Sequence, residues 1–185
     1  MKYQIINKTS LVDGPGVRCA LYVSGCSIRC VGCHNKEAWD FTCGTDFNED
    51  TISMILKFLE PSYIKGLSLL GGEPYDQADL HLLVKLVRLV KEQYPNKDIW
   101  IWTGYEFNQI KYSPLTKYID VAVCGRFDIT KRDISDANRW RGSTNQRVID
   151  VKTSLENNCS ISASLLLLSK IGLVTKYKFV SLSRC

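Results

Sequence analysis

Apolar residues recur along this chain in two alternating rhythms. Residues 17–24 are mostly apolar and partly β-branched and end at Gly25, the pattern of a buried strand. After Asn48, a helix N-cap residue, Ile52, Ile55, Leu56 and Leu59 recur at i, i+3, i+4 and i+7, so one apolar helix face is predicted, with Pro61 as its stop. Residues 64–70 form a second apolar run that leads straight into Gly71-Gly72-Glu73-Pro74. A second helix is predicted over 79–94, with Leu83, Leu86, Val87 and Val90 on one face and Pro95-Asn96 closing it. Residues 98–103, 119–123 and 147–151 supply a third, fourth and fifth strand. Strands separated by helices or loops imply crossover connections and a mostly parallel sheet. Such sheets bind ligands beyond the carboxyl ends of their strands, where Gly25 and Gly71-Gly72 both stand.

Composition narrows the setting. A chain of 185 residues with 45% hydrophobic and 23% charged residues suits one globular domain with a real core. The net charge of +5 comes from scattered Lys and Arg, with no basic run interleaved with aromatics, so no nucleic-acid partner is expected. No stretch reaches the roughly eighteen apolar residues of a membrane span, and residues 1–10 lack a signal-peptide core. A cytoplasmic protein without a membrane partner is the expectation. A mildly basic surface would also suit an acidic redox partner.

Cysteine placement changes the picture. Cys26, Cys30 and Cys33 fall at C-x3-C-x2-C spacing on one glycine-containing loop at the end of the first predicted strand. Three thiolates on one loop can reach three corners of an iron–sulfur cubane and leave one iron open to an external ligand. Structural zinc is the competing reading. It usually takes paired knuckles that supply four ligands, and no second knuckle follows; His34 is a weak fourth donor, because adjacent side chains rarely converge on one ion. Cys19, Cys43, Cys124, Cys159 and Cys185 read mostly as small apolar side chains.

The cysteine signature followed by Gly71-Gly72-Glu73-Pro74 resembles the radical S-adenosylmethionine (SAM) superfamily. Asp13-Gly14-Pro15-Gly16-Val17-Arg18, residues 97–105 ending in Thr103-Gly104-Tyr105, and Trp140-Arg141-Gly142-Ser143-Thr144-Asn145-Gln146-Arg147 extend the likeness to the activating proteins of anaerobic (class III) ribonucleoside-triphosphate reductases. The resemblance implies an α/β fold, a partial, open (β/α) barrel of mostly parallel strands. A full eight-stranded barrel needs about 250 residues, so this one would be short. It implies a [4Fe-4S] cluster on Cys26, Cys30 and Cys33. SAM contacts are implied at Gly71, Gly72, Glu73, Pro74, His34, Thr103 and Gly104, the glycine-rich turn offering carbonyls to the methionine ammonium group. The implied partners are the large reductase subunit, which receives a glycyl radical, and a small reducing protein such as flavodoxin; a homodimer stays open. No residue beyond the cluster is assigned a catalytic role.

The chain also departs from the family. Gly32, not an aromatic residue, precedes Cys33, which leaves adenine packing unassigned, and Cys124 stands before Gly125 where relatives carry an acid. Trp100 and Trp102, spaced as strand neighbours, read as packing residues. Asp13-Gly14-Pro15-Gly16 has strong turn chemistry and is read as a positioning or partner-facing loop ahead of the first strand. The activase domain is placed at 1–153, and 154–185 is an atypical tail, leucine-rich over 161–174, whose removal after Leu155 is expected to spare cluster and SAM chemistry. The alternatives are an activator of a formate-lyase type or a queuosine-pathway enzyme, which lack Trp140-Arg141-Gly142-Ser143, and a zinc-bound interaction module.

Overall fold

In the computed structural model, residues 1–135 and 140–163 are described. Seven strands form one sheet: β1 (Lys2–Ser10), β2 (Val17–Val23), β3 (Thr45–Asp46), β4 (Ile64–Gly71), β5 (Asp98–Thr103), β6 (Val121–Cys124) and β7 (Arg147–Asp150). Their spatial order is β3-β1-β2-β4-β5-β6-β7. The four inner strands β2, β4, β5 and β6 are mutually parallel, whereas β1 and β7 run antiparallel to their neighbours. The α/β expectation holds for the centre of the sheet, which is parallel, while the outer pairings are antiparallel.

The outer strands differ from the sequence reading, which also holds no counterpart of the two-residue β3. β1 is absent from that reading, because its residues are polar at many positions and mostly exposed or half-buried, so no alternating apolar face marks it. The Asp13-Gly14-Pro15-Gly16 turn therefore precedes the second strand, not the first. β7 stands where the apolar run places it, but the segment joining it to β6 holds no crossover helix among the described residues, and it returns antiparallel, with Ala122 opposite Ile149.

The helices follow the apolar spacing closely. α1 (Glu49–Leu59) starts at Asn48, whose side chain accepts the Thr51 N–H while Thr51 Oγ1 accepts the Asn48 N–H, a reciprocal capping box. α2 (Leu80–Gln93) buries Leu83, Leu86, Val87 and Val90. Both pack on one sheet face, against Cys19, Leu21 and Val23 of β2, Leu67 and Leu69 of β4, and Ile99 and Ile101 of β5. Each such fully buried aliphatic side chain contributes roughly 1.5–3 kcal/mol. Two short helices, α3 (Phe107–Ile110) and α4 (Val151–Glu156), complete the order.

The opposite sheet face is held by polar chemistry. Arg18 on β2 is fully buried and sits 2.5 Å from Asp98, donates to Ser68 Oγ at 2.7 Å and to the Leu67 carbonyl at 2.9 Å, and lies over the Trp100 ring. Ser68 Oγ in turn donates to the Asp13 carbonyl at 2.6 Å, and Asp13 accepts from Tyr22 and Ser10 hydroxyls. The turn before β2 is thereby strapped across the sheet, which gives it the loop-positioning role. Trp100 is buried and stacks against Trp102 and Trp140, confirming Trp100 as a packing residue, and Trp102 Nε1 donates to the Trp140 carbonyl at 2.8 Å.

Beyond α4 the chain stays on the sheet. Asp150 N–H donates to the Ile161 carbonyl and Ala163 N–H to the Val148 carbonyl, each at 2.9 Å, and Ser154 Oγ accepts the Ile161 N–H at 2.8 Å. The boundary expected at 153 falls inside α4, and most of the leucine-rich stretch 161–174 lies outside the described residues. Among the described residues no helix is long and apolar enough to cross a membrane.

Candidate functional site

Parallel strands point their carboxyl ends the same way, so the segments leaving β2, β4, β5 and β6 gather along one rim. Gly25 leaves β2 and opens the cysteine loop. Its carbonyl accepts the Glu73 N–H at 2.8 Å, and its N–H donates to the Ala38 carbonyl at 2.8 Å, so the loop begins clamped between the turn after β4 and the helical turn Lys36–Trp39. Gly72 makes this clamp possible, because a Cβ there would stand 2.3 Å from the Gly25 oxygen. Gly104 serves a similar purpose after β5: Ile28 fills the space a side chain would need, its Cδ1 only 2.4 Å from an added Cβ.

Cys26, Cys30 and Cys33 are half-buried free thiols on this loop. A turn closes with the Cys33 N–H on the Cys30 carbonyl. Burial raises the Cys26 thiol, the nearby main chain of Arg29 and Ile28 lowers it, and the Glu73 and Asp76 carboxylates push it up again. The Arg126 guanidinium donates to the Ile28 carbonyl, and Asn145 Nδ2 donates to the Arg126 carbonyl at 2.9 Å. The loop is thus tied to the segment after β6 as well.

Glu73 is the hub of the rim. Only 1% exposed, its carboxylate accepts the Thr103 hydroxyl at 2.8 Å, the Gly104 N–H at 2.8 Å and the Tyr75 N–H at 3.1 Å. Burial pushes this carboxyl up to about 7 against those three donors. Glu73, Thr103 and Gly104, distant in sequence, are therefore brought together, and the Thr103 hydroxyl is engaged in bracing Glu73. Pro74 is buried in the short helical turn Pro74–Asp76. Gln77 Nε2 donates to the carbonyls of Glu73 and Gly25, at 2.9 and 3.3 Å. His34 is exposed beside Cys33 and lines, with Gly32, Phe127, Ile129 and Trp140, a groove of about 410 Å³.

Three contributors carry no signal in the sequence. Asp76 accepts the Ser27 N–H at 2.7 Å and the Tyr105 hydroxyl at 2.6 Å, joining the cysteine loop to the segment after β5. Gln77 and Arg126 bond loop carbonyls. All three are polar residues in turns, where the usual reading is solvated charge; only the position of Asp76 two residues past Pro74 could have drawn attention to it.

The donors present fit an iron–sulfur cluster: three free thiols on one loop whose main chain is pinned by Asp76, Arg126 and the Ala38 carbonyl. Among the described residues no three His, Cys, Asp or Glu side chains converge on a point that one ion could occupy. The other thiols differ in kind. Burial pushes both Cys19 and Cys124 up to about 12, which suits inert packing residues.

A family model described as a 4Fe-4S single cluster domain matches residues 12–149. A protein of Enterobacteria phage T4 is 39% identical over 148 residues, covering 80% of this chain and 93% of the relative. Relatives from Pasteurella multocida and Escherichia coli K12 are 42% and 37% identical, covering 79% and 80% of this chain and 95% and 97% of their own lengths. All three are named anaerobic ribonucleoside-triphosphate reductase-activating protein.

Proposed function

We propose, from the premise that this chain belongs to the family of anaerobic ribonucleoside-triphosphate reductase-activating proteins, that it installs a glycyl radical on the large subunit of that reductase. The observation that carries this reading is the joining of the cysteine loop, the Gly71-Gly72-Glu73-Pro74 turn and Thr103-Gly104 at one rim through Glu73 and Asp76.

Cys26, Cys30 and Cys33 would hold a [4Fe-4S] cluster, and three protein thiolates leave one iron open for a ligand from SAM. When bound, that cluster supplies the electron that splits the SAM sulfonium into methionine and a 5′-deoxyadenosyl radical, which takes a hydrogen atom from a reductase glycine. The chain's own residues orient. Gly71 and Gly72 offer main-chain carbonyls to the methionine ammonium, while the Glu73 carbonyl is already engaged by Asp76 and Gln77. The Glu73 carboxyl, braced by the Thr103 hydroxyl and the Gly104 N–H, holds the turn that carries Gly71 and Gly72 in place. His34 borders a mixed groove, lined by Phe127, Ile129 and Trp140 together with Arg132, Asp133 and Arg141, that this reading offers to the adenine ring. No acid or base is required. A small flavodoxin-like protein is the electron source in this reading.

The test is electron paramagnetic resonance under strict exclusion of oxygen. Reduced, cluster-loaded protein with SAM should produce a glycyl radical signal on the large reductase subunit, and omission of SAM should abolish it. Cleavage of SAM without any signal on the reductase would reject the activase reading in favour of another radical SAM reaction.

A further inference from the structure

We propose that Asp76 poises the cluster, keeping its reduction potential low by withholding the Ser27 N–H from it and by placing a carboxylate beside the Cys26 end of the loop. The inference rests on the reading of residues 26–33 as the cluster loop. Its basis is the capture of the amide next to Cys26. The N–H of Ser27, the residue that follows Cys26, is taken at 2.7 Å by Asp76 Oδ2 and so is turned to the carboxylate.

Hydrogen bonds to cluster sulfurs and the net charge around them are levers by which a protein sets an iron–sulfur potential. An N–H given to sulfur favours the more negative, reduced state. A neighbouring negative charge disfavours it. Asp76 removes one donor and adds one negative charge, so its two effects act in the same direction. Its other oxygen is anchored at 2.6 Å by the Tyr105 hydroxyl, so the carboxylate is held between the loop after β2 and the segment after β5. The short helical turn Pro74–Asp76 fixes it from below, and the turn is itself pinned by the Asp76 N–H on the Glu73 carbonyl at 3.1 Å. Asp76 is a positioning residue: it acts through Ser27 and through its field, not by touching substrate.

The experiment is a potentiometric titration of the full-length, cluster-reconstituted chain without SAM or reductase. A chemical reductant delivers one electron through mediator dyes, and the reduced cluster is read by electron paramagnetic resonance as it passes from the 2+ to the 1+ state. Asp76→Asn keeps the size and an acceptor for Ser27 but loses the charge, so its midpoint should move positive. Asp76→Ala loses both and should move further in the same direction. Tyr105→Phe keeps the charge and the Ser27 bond and should titrate close to the unaltered protein. Wild-type midpoints in both Asp76 variants, or negative shifts, would overturn the proposal. So would failure of both variants to retain iron, which would make Asp76 a scaffold residue instead. Because no SAM is present, a positive shift in a protein that never cleaves SAM would leave this inference standing and sink the activase reading, while unchanged midpoints in an active protein would do the reverse.

Discussion

At the scale of single residues, Glu73 shows how a motif residue can matter through its side chain when the motif concerns mainly backbone. Its carboxyl is raised from 4.5 to about 7 by burial, so folding favours the protonated form. Below about pH 4.5 both folded and unfolded states hold the proton and nothing is lost; between there and about 7 only the folded state holds it, and stability falls with rising pH. The total is on the order of 3 kcal/mol, since each tenfold change in proton affinity is worth about 1.4 kcal/mol. Thermal unfolding of the metal-free protein should show this decline across that window, and Glu73→Gln should flatten it. A second outcome is expected for the thiols: alanine at Cys26, Cys30 or Cys33 should each abolish iron binding and the visible absorbance, while alanine at Cys19, Cys43, Cys124, Cys159 or Cys185 should retain both. The clustered cysteines are legible from spacing alone. Asp76 is not, because its importance lies in two hydrogen bonds to residues 49 and 29 positions away, and no local pattern encodes them.

At the scale of elements, the sequence conveys what is periodic and misses what is not. α1, α2, β4 and β5 carry long apolar faces and stand where the spacing places them. β1 pairs along most of β2 yet presents few apolar positions, so its strand character comes from hydrogen bonding to a neighbour that the local sequence does not reveal. The direction of β7 is likewise invisible, since strand direction depends on the path of the preceding segment. The structure also changes the expected result of shortening the chain. Removal of everything after Leu155 deletes the partners of Val148 and Asp150 and the buried Ala163, and should cost on the order of 2–3 kcal/mol from two backbone hydrogen bonds and the lost apolar contact. Ending the chain after Ala163 should preserve the melting temperature and iron content of the full-length protein. Comparing the two truncations by thermal unfolding distinguishes a tail that merely follows the fold from a segment that finishes the edge of the sheet.

At the scale of the whole molecule, the sheet divides its duties between faces and rim. Helices α1 and α2 bury one face, the strapped turn and the tryptophans occupy the other, and the parallel centre delivers the cysteine loop and its supports to a single edge. The proposed reaction on a reductase glycine requires a protein segment to reach that rim. The net charge of +5 adds a measurable consequence for the electron donor. If the donor is acidic, reduction of the cluster by it should slow as ionic strength rises, whereas reduction by a small neutral reductant should not, and stopped-flow absorbance would show the difference.

The contact between Ile28 and Gly104 reaches beyond this molecule. Because Ile28 occupies the volume that any side chain at 104 would claim, two positions 76 residues apart share one space. An enlargement at 104 displaces the tip of the Ile28 side chain, and a smaller residue at 28 relieves it. Within the spacer between Cys26 and Cys30, Ser27 and Ile28 are held through main-chain atoms, whereas Arg29 stands at φ +49°, a left-handed conformation that β-branched residues avoid. Across descendants of this sequence, position 29 should therefore keep to residues that tolerate positive φ, while a larger residue at 104 should come with a smaller one at 28.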